Sequence, residues 1–319
     1  MRSLFKFLAA LVATSCCLAA SAQTWPNKPV RLLVAFPPGA PGDIVARMIQ
    51  PALQQSLDQP VVVDNKPGAG GNIGAQEVAR STDGHTFLIG PDTMMTVNPH
   101  VYTKLAFKPT EDLVPVSWLA RFNQMLVCNP AVGVKTVADL VALSKKDKLT
   151  YASGGPGVPG HLAMEMLLSA TSTDMTHVPY RGPAPAAQDV LGGSVPCGFL
   201  ATPVVGPFVR DGKLVALAVS GSKRTASLPN VPTMAEAGIA GYDATFFETL
   251  SAPRGTPPAV IDRLQQEVAK ALADPKVRSA LAAADLEPVA STPAEAARQM
   301  RSDSDKWRVV VAKVKLQLD

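Results

Sequence analysis

The sequence predicts an α/β protein of two domains, each carrying a mostly parallel sheet, on three observations. Short apolar runs with the length and branching of strands alternate with helical runs almost throughout. A strand, a Gly/Pro-rich loop and a helix follow one another in FPPGAPGDIVARMI and again in ASGGPGVPGHLAMEMLL. A chain of 319 residues is the length of about two domains at roughly 100–200 residues each.

Taken in order, residues 1–22 read as a secretory signal. Arg2 and Lys6 make a basic start, LAALVATSCCLAA is the apolar segment, and Ala20-Ser21-Ala22 fits a small-residue cleavage site. The mature chain then begins near Gln23. No leucine lies three residues before Cys16 or Cys17, so soluble export is expected rather than lipid anchoring. No later segment approaches the ~20 apolar residues that span a bilayer.

PVRLLVAF is the first expected strand, and DIVARMIQPALQQSL repeats Val45, Met48, Ile49 and Ala52 at helical spacing. Between them Asp43 stands where an N-cap belongs. The Pro/Gly loop ahead of it joins neither element, which leaves backbone N–H groups at a helix N-terminus, a setting that suits an anion. The plain alternative is a stiff strand-to-helix connection. VVV follows, then PGAGGNIGA, whose Gly68, Gly70 and Gly74 have a dinucleotide-like spacing with Asp92 beyond. The short strand, the intervening DNKP and the exported setting favour a tight loop into IGAQEVARS, with Asn72 reaching the cleft, and no cofactor is expected.

TFLIG, QMLVC and LTYAS are the next strands; the second Gly/Pro junction leads into a helix on which Leu162, Glu165, Met166 and Ser169 step around the axis. MTHVPY, VPCGFLA, KLVALAVS and ATFFETLSA complete the strands. In PPAVIDRLQQEVAKALADP, Pro257 and Pro258 open a helix, and Ser291-Thr292-Pro293 with Glu295 opens the last one. These C-terminal helices are expected to pack back on the N-terminal sheet. The first domain is then discontinuous, residues 23–121 plus 245–319, with the second at 122–244 and crossings near 121 and 244. Ligands of open α/β sheets sit beyond the carboxyl ends of strands, so the two loops are expected to face each other across a cleft.

Composition removes several classes of function. The chain carries 30 Lys and Arg against 26 Asp and Glu, two of the cations lie in the signal, and no basic cluster marks a nucleic-acid face. His85, His100, His161 and His177 include no pair at i, i+3 or i, i+4 spacing, so no metal is expected. His161 starts the second helix, where donation to a carboxylate and a capping or packing role are both open. Neither LGGSVP nor AVSGSK completes a G-x-S-x-G elbow, and no clustered acidic pair suggests glycosidase chemistry. Cys128 and Cys197 lie in strand-like runs, as a disulfide or as buried thiols. With aromatics at 5%, Phe36, Phe199, Phe246 and Phe247 stand out at or near strand ends, as core or as cleft lining.

FPPGAPGDIVAR, DNKPGAGGNIGAQEVA, DGHTFLIG, HVPYRGPAPAAQDVLGG, LPNVPTMAEAG and APRGTPPAVIDRLQQEV resemble, in order and over nearly the whole mature chain, stretches of the Bug receptors. These are the periplasmic solute-binding subunits of tripartite tricarboxylate transporters. The resemblance implies a two-domain periplasmic-binding-protein (Venus-flytrap) fold that encloses a small carboxylate and presents it to a membrane permease, as a monomer without catalysis. It implies ligand contacts from backbone groups and ordered water at two loops: Phe36, Pro38, Gly39, Ala40 and Asp43 in the first, Ser153, Gly155, Gly157 and His161 in the second. Asn72, Thr93, Tyr180 and Arg181 are further contributors. The sequence departs from the family at Ala40, where glycine is frequent. It departs again at Leu200 and Ala201 beside Phe199, where relatives that bind amino acids carry an acidic residue and then a small polar one. An acceptor for a ligand ammonium is therefore missing, and an aromatic or dicarboxylic acid without an amino group is expected. The alternative from another class is an exported α/β hydrolase.

Overall fold

The computed structural model describes residues 25–318; the expected signal peptide at residues 1–22 lies outside them. VRLLV is buried at four of its five positions and forms β1 (Val30–Val34). It is followed by α1 (Pro41–Leu57), β2 (Val61–Asn65), α2 (Asn72–Ala79) and β3 (Thr86–Pro91). Three single-turn helices, α3 (Thr93–Thr96), α4 (Asn98–Val101) and α5 (Pro109–Asp112), lead into β4 (Leu113–Phe122). With only Asn123 between, the chain enters a second sheet through β5 (Gln124–Cys128). There follow α6 (Val137–Ser144), β6 (Thr150–Ser153), α7 (Pro159–Thr171), β7 (Thr176–Pro179), α8 (Pro183–Leu191), β8 (Cys197–Ala201), α9 (Thr202–Arg210) and β9 (Val215–Val219). The chain returns to the first sheet in β10 (Phe246–Pro253), then α10 (Pro258–Ala273), α11 (Pro275–Ala283), β11 (Glu287–Pro288) and α12 (Pro293–Val314).

Both sheets are mixed, which corrects the expectation of mostly parallel ones. The first has the order β11-β4-β10-β3-β1-β2 and the second β7-β6-β8-β5-β9. The strands β2, β1 and β3 are parallel, as are β7, β6 and β8, while β10 is antiparallel to both of its neighbours and so is β5. The reversed strands are the two that carry the chain from one sheet into the other. A strand arriving directly across the cleft starts at the end where the others finish, and no crossover helix turns it round.

The strand β4 was not among the runs read from sequence, because Pro115 interrupts LVPVSWLARF and a proline argues against a central strand. Its pairing with β10 shifts register twice, once beside Pro115, and this irregularity accommodates the missing N–H. The final helix does open with a reciprocal Thr292 and Glu295 capping box, and α10 begins at Pro258. At α1 the N-cap is Ala40, not Asp43, which sits one turn in.

Leu32, Ile49, Leu53, Phe87, Phe246 and Trp307 belong to a large core that fills the first sheet and its helices and continues into the second through Leu126, Tyr151 and Leu162. Met125, Val127, Leu200, Val205 and Val219 pack a separate core in the second. Cys128 and Cys197 face each other across β5 and β8 and form a disulfide that closes a separation of 69 residues. Among the described residues no helix is long and apolar enough to cross a membrane.

Candidate ligand-binding site

Three helices begin around one cavity between the sheets. Pro41 of α1, Pro159 of α7 and Pro183 of α8 are all first-turn prolines, and all three line it. Proline at that position presets the helical φ and gives up an N–H that would have no intrahelical acceptor. None of the three helices has a side-chain cap, so the amides that follow remain for an external acceptor, and the positive ends of three dipoles converge. Gly160 shows how close the backbones come: a Cβ there would collide with the Phe199 carbonyl.

The space between atoms in the cavity amounts to about 370 Å³, its opening to solvent included. Phe36, Pro91, Phe122 and Val158 give it apolar walls; Gln124 and Glu248 are its polar side chains. Phe36 and Gly154 also border a wider mouth of about 850 Å³, where Pro37 and the loop of residues 67–71 face Gly155, Tyr180 and Arg181.

Of the residues expected from sequence, Phe36, Ala40 and Ala201 line the inner cavity, and Phe36, Gly155, Tyr180 and Arg181 line the mouth. The Tyr180 hydroxyl is already engaged, donating to Asp189 at 2.5 Å. A second set supports the loops from behind. Asp43 accepts from the Gly39 amide at 2.9 Å, from Arg47 and from Asn65. Burial alone would raise the Asp43 carboxyl, but those three donors outweigh it and hold it below the usual carboxylate range. The Gly39 amide expected to meet the ligand is therefore spent inside its own loop, and Pro38 is exposed beside it. Asn72 accepts from Asn98 at 2.7 Å and does not line the cavity.

The second loop is braced in the same way. The Gly157 amide donates to Nδ1 of His161 at 3.0 Å, and the rings of His161 and His177 stack with centroids 4.0 Å apart. Burial first, and then the neighbouring His177, push the His161 imidazole down to about 3; burial pushes His177 down to about 4. Neutral His161 is thus an acceptor that shapes the loop, not a cationic donor to a carboxylate. Its 3.7 Å approach to Glu165 is accordingly not an ion pair at neutral pH. Ser153 lies 2.7 Å from Nε2 of His177 and both donates to and accepts from Gly155. One assignment satisfies all three contacts: His177 donates to Ser153, whose proton goes to the Gly155 carbonyl. Fully buried, Ser153 has no access to a substrate.

Three expected residues lie off the cleft. Thr93 is buried at the start of α3, and Phe199 packs toward Tyr242 behind Gly160. Leu200 points into the core of the second sheet, because alternate residues of a strand face opposite ways and Ala201 takes the cleft side. The sequence reading missed Phe122, Gln124 and Glu248. All three lie in or next to the crossing strands, which look like ordinary core runs; the acid inside ATFFETLSA was the one signal available. Burial, and then the like charge of Asp92, push the Glu248 carboxyl well above the usual range. Asp92 is itself raised to about 8, chiefly by burial, and accepts from the Phe247 amide at 3.1 Å. Among the described residues no group of three or more His, Cys, Asp or Glu is placed to hold a metal.

Two lobes with an uncapped, partly apolar cavity between them define a solute-binding receptor, and the comparisons agree. Residues 45–316 match the family described as Tripartite tricarboxylate transporter family receptor, and the chain belongs to that family. Protein BugT of Bordetella pertussis strain Tohama I is 36% identical over 295 residues, 91% of this chain and 90% of BugT. The structure of R. palustris Rpa4515 with adipate superposes with a TM-score of 0.88 at 33% identity, covering 92% of this chain and 99% of that one. MatC from Rhodopseudomonas palustris with bound malate superposes at 0.85 and 30% identity, covering 90% and 100%. The family is one of receptors and not of enzymes, which removes the hydrolase alternative.

Proposed function

We propose that the protein is an exported periplasmic receptor that captures a small dicarboxylate or aromatic acid lacking an amino group. It closes as a monomer about the crossings near residues 121 and 244 and delivers the acid to a tripartite tricarboxylate permease. The lobes that move are residues 23–121 with 245–319, and 122–244. The observation that carries this reading is the convergence of Pro41, Pro159 and Pro183 at uncapped helix N-termini around one cavity, since such ends bind carboxylates through backbone N–H groups. Apolar walls between polar ends suit a short hydrocarbon between two acid groups, and two structural neighbours hold adipate and malate.

A thermal-shift panel of aliphatic diacids, aromatic acids, aspartate and glutamate tests it. A ligand that binds only the folded state adds RT ln(1 + [L]/Kd) to stability, so an amine-free acid should give the largest rise. Calorimetry then confirms one site per chain and light scattering a monomer. A response confined to aspartate or glutamate overturns the amine-free part, and no response to any acid overturns the whole.

A further inference from the structure

Among the described residues nothing answers Oε2 of Glu248. The residue is 2% exposed, lines the inner cavity, and has an Oε2 without a hydrogen-bond partner among the described residues. It lies near the start of the reversed strand β10, paired with Pro91 on one side and Ala120 on the other. Its Oε2 abuts the opening turn of α1, where a Cβ added to Gly42 would stand 2.7 Å from it. The acid is thus embedded where uncapped helix ends leave amides for an anion.

The charged groups around it leave the carboxyl without a counterion. Beyond Pro91, Asp92 is buried and keeps an unpartnered Oδ2. On α1, Arg47 is bound to Asp43; on β4, Arg121 is bound to Glu287. On α12, Asp303 and Lys306 act on Asp92 with opposite effect. Among the described residues the one ionisable group that bears on Glu248 is Asp92, a second acid. An anion there would face burial, a second acid and an incoming carboxylate together, each of which favours the neutral form.

We infer that Glu248 is held as a neutral carboxylic acid and donates its O–H to a carboxylate of the bound solute, which makes it the side chain that selects fully ionised, amine-free acids. The proton stays on Glu248, and the solute gains a donor without the site gaining a charge. A solute bearing an ammonium would instead require Glu248 to ionise and release its proton. This inference rests on the reading of the cavity as a carboxylate site.

The test uses the full mature chain with adipate and malate as amine-free probes and aspartate as the amine-bearing one. Calorimetry at pH 7 in two buffers of different ionisation enthalpy should show no net proton exchange with adipate or malate. Glu248→Gln keeps a donor of the same size and should bind within about threefold of the parent, whereas Glu248→Leu should lose tenfold or more with its melting transition intact. Infrared spectra should contain a protonated-carboxyl band that is missing in Glu248→Gln and that shifts when adipate binds. Unchanged affinity in Glu248→Leu overturns the inference. So does aspartate as the tightest probe, binding with release of about one proton and lost in Glu248→Gln, which would make Glu248 an ammonium partner in a carboxylate site that still stands. If all three probes fail to bind, the reading of the cavity falls by itself. The infrared band of the ligand-free protein then judges Glu248, its absence overturning the neutral acid.

Discussion

The Gly157 amide donates to Nδ1 of His161 at 3.0 Å, so the imidazole at the head of α7 holds the loop that leads into it. That bond requires Nδ1 to be unprotonated, and burial keeps both His161 and its stacked neighbour His177 neutral, at about 3 and about 4. In the unfolded chain both rings take protons near 6.5. Folded values below the unfolded one mean a contribution that is complete above about 6.5. It is lost as pH falls through the window down to about 3, where the unfolded state binds more protons. Urea denaturation from pH 7.5 to 4.5 should show stability declining with acid. His161→Asn should flatten that slope while costing about 1–2 kcal/mol at neutral pH for the loosened Gly157 amide. A slope equal to that of the parent would assign the acid sensitivity elsewhere.

The positions of Leu200 and Ala201 separate a core effect from a ligand effect. Leu200 is fully buried in the core of the second sheet, while Ala201 lines the cavity and is the N-cap of α9 without a side-chain bond. An aspartate at position 200 places a charge among apolar side chains and should cost about 4 kcal/mol or more, preventing folding. Ala201→Asp meets a position where an acidic cap is tolerated, so the fold should persist with a melting temperature near that of the parent. Its affinity for adipate should drop at least about tenfold through repulsion. Soluble expression and calorimetry of the two variants check both halves.

How far the site could be read from sequence follows from where each residue sits. The Gly/Pro junctions announced themselves because Pro41 and Pro159 break regular elements at the point where helices begin, and those breaks border the cavity. Asp43 and His161 were visible for the same reason, but their partners were not. Whether a side chain meets a ligand or its own loop depends on the path of residues 37–40 and 154–158, which composition does not fix. Leu200 was placed on the wrong face because the two sides of a buried strand are equally apolar, and alternation then gives no phase. Glu248 was hidden in a run that is buried on both sides, and only the insertion of β10 against β3 and β4 brings it to the cavity. The mixed pairing of the sheets was hidden too, since direction depends on the side from which a crossing strand enters.

The Cys128–Cys197 disulfide ties β5 to β8 across a separation of 69 residues. Loop closure of that length is worth roughly 2–4 kcal/mol, and replacement of both cysteines by alanine should lower the urea midpoint accordingly. Cys197 starts β8 and Ala201 ends it at the cleft, so adipate affinity should stay within about twofold. A loss of affinity matching the loss of stability would show that the bridge also shapes the site.

Gly182 and Pro37 approach each other closely across the mouth. Gly182 holds φ at +111°, donates its amide to the Gly154 carbonyl at 2.9 Å, and would carry a Cβ 2.8 Å from Cγ and Cδ of Pro37. A methyl at this position therefore acts twice: it strains the backbone in any state, and it obstructs the lobes where they approach. Only the second effect is differential, and only a differential effect shifts a population. Gly182→Ala should weaken adipate binding about tenfold and reduce the compaction on saturation that small-angle scattering is expected to show for the parent. Pro37→Ala removes the Cγ and Cδ that the methyl meets, so the double variant should recover most of the affinity, a coupling that backbone strain alone does not produce. If Pro37→Ala restores nothing, the loss belongs to the strained φ of Gly182, and the approach of the two residues is not part of closure.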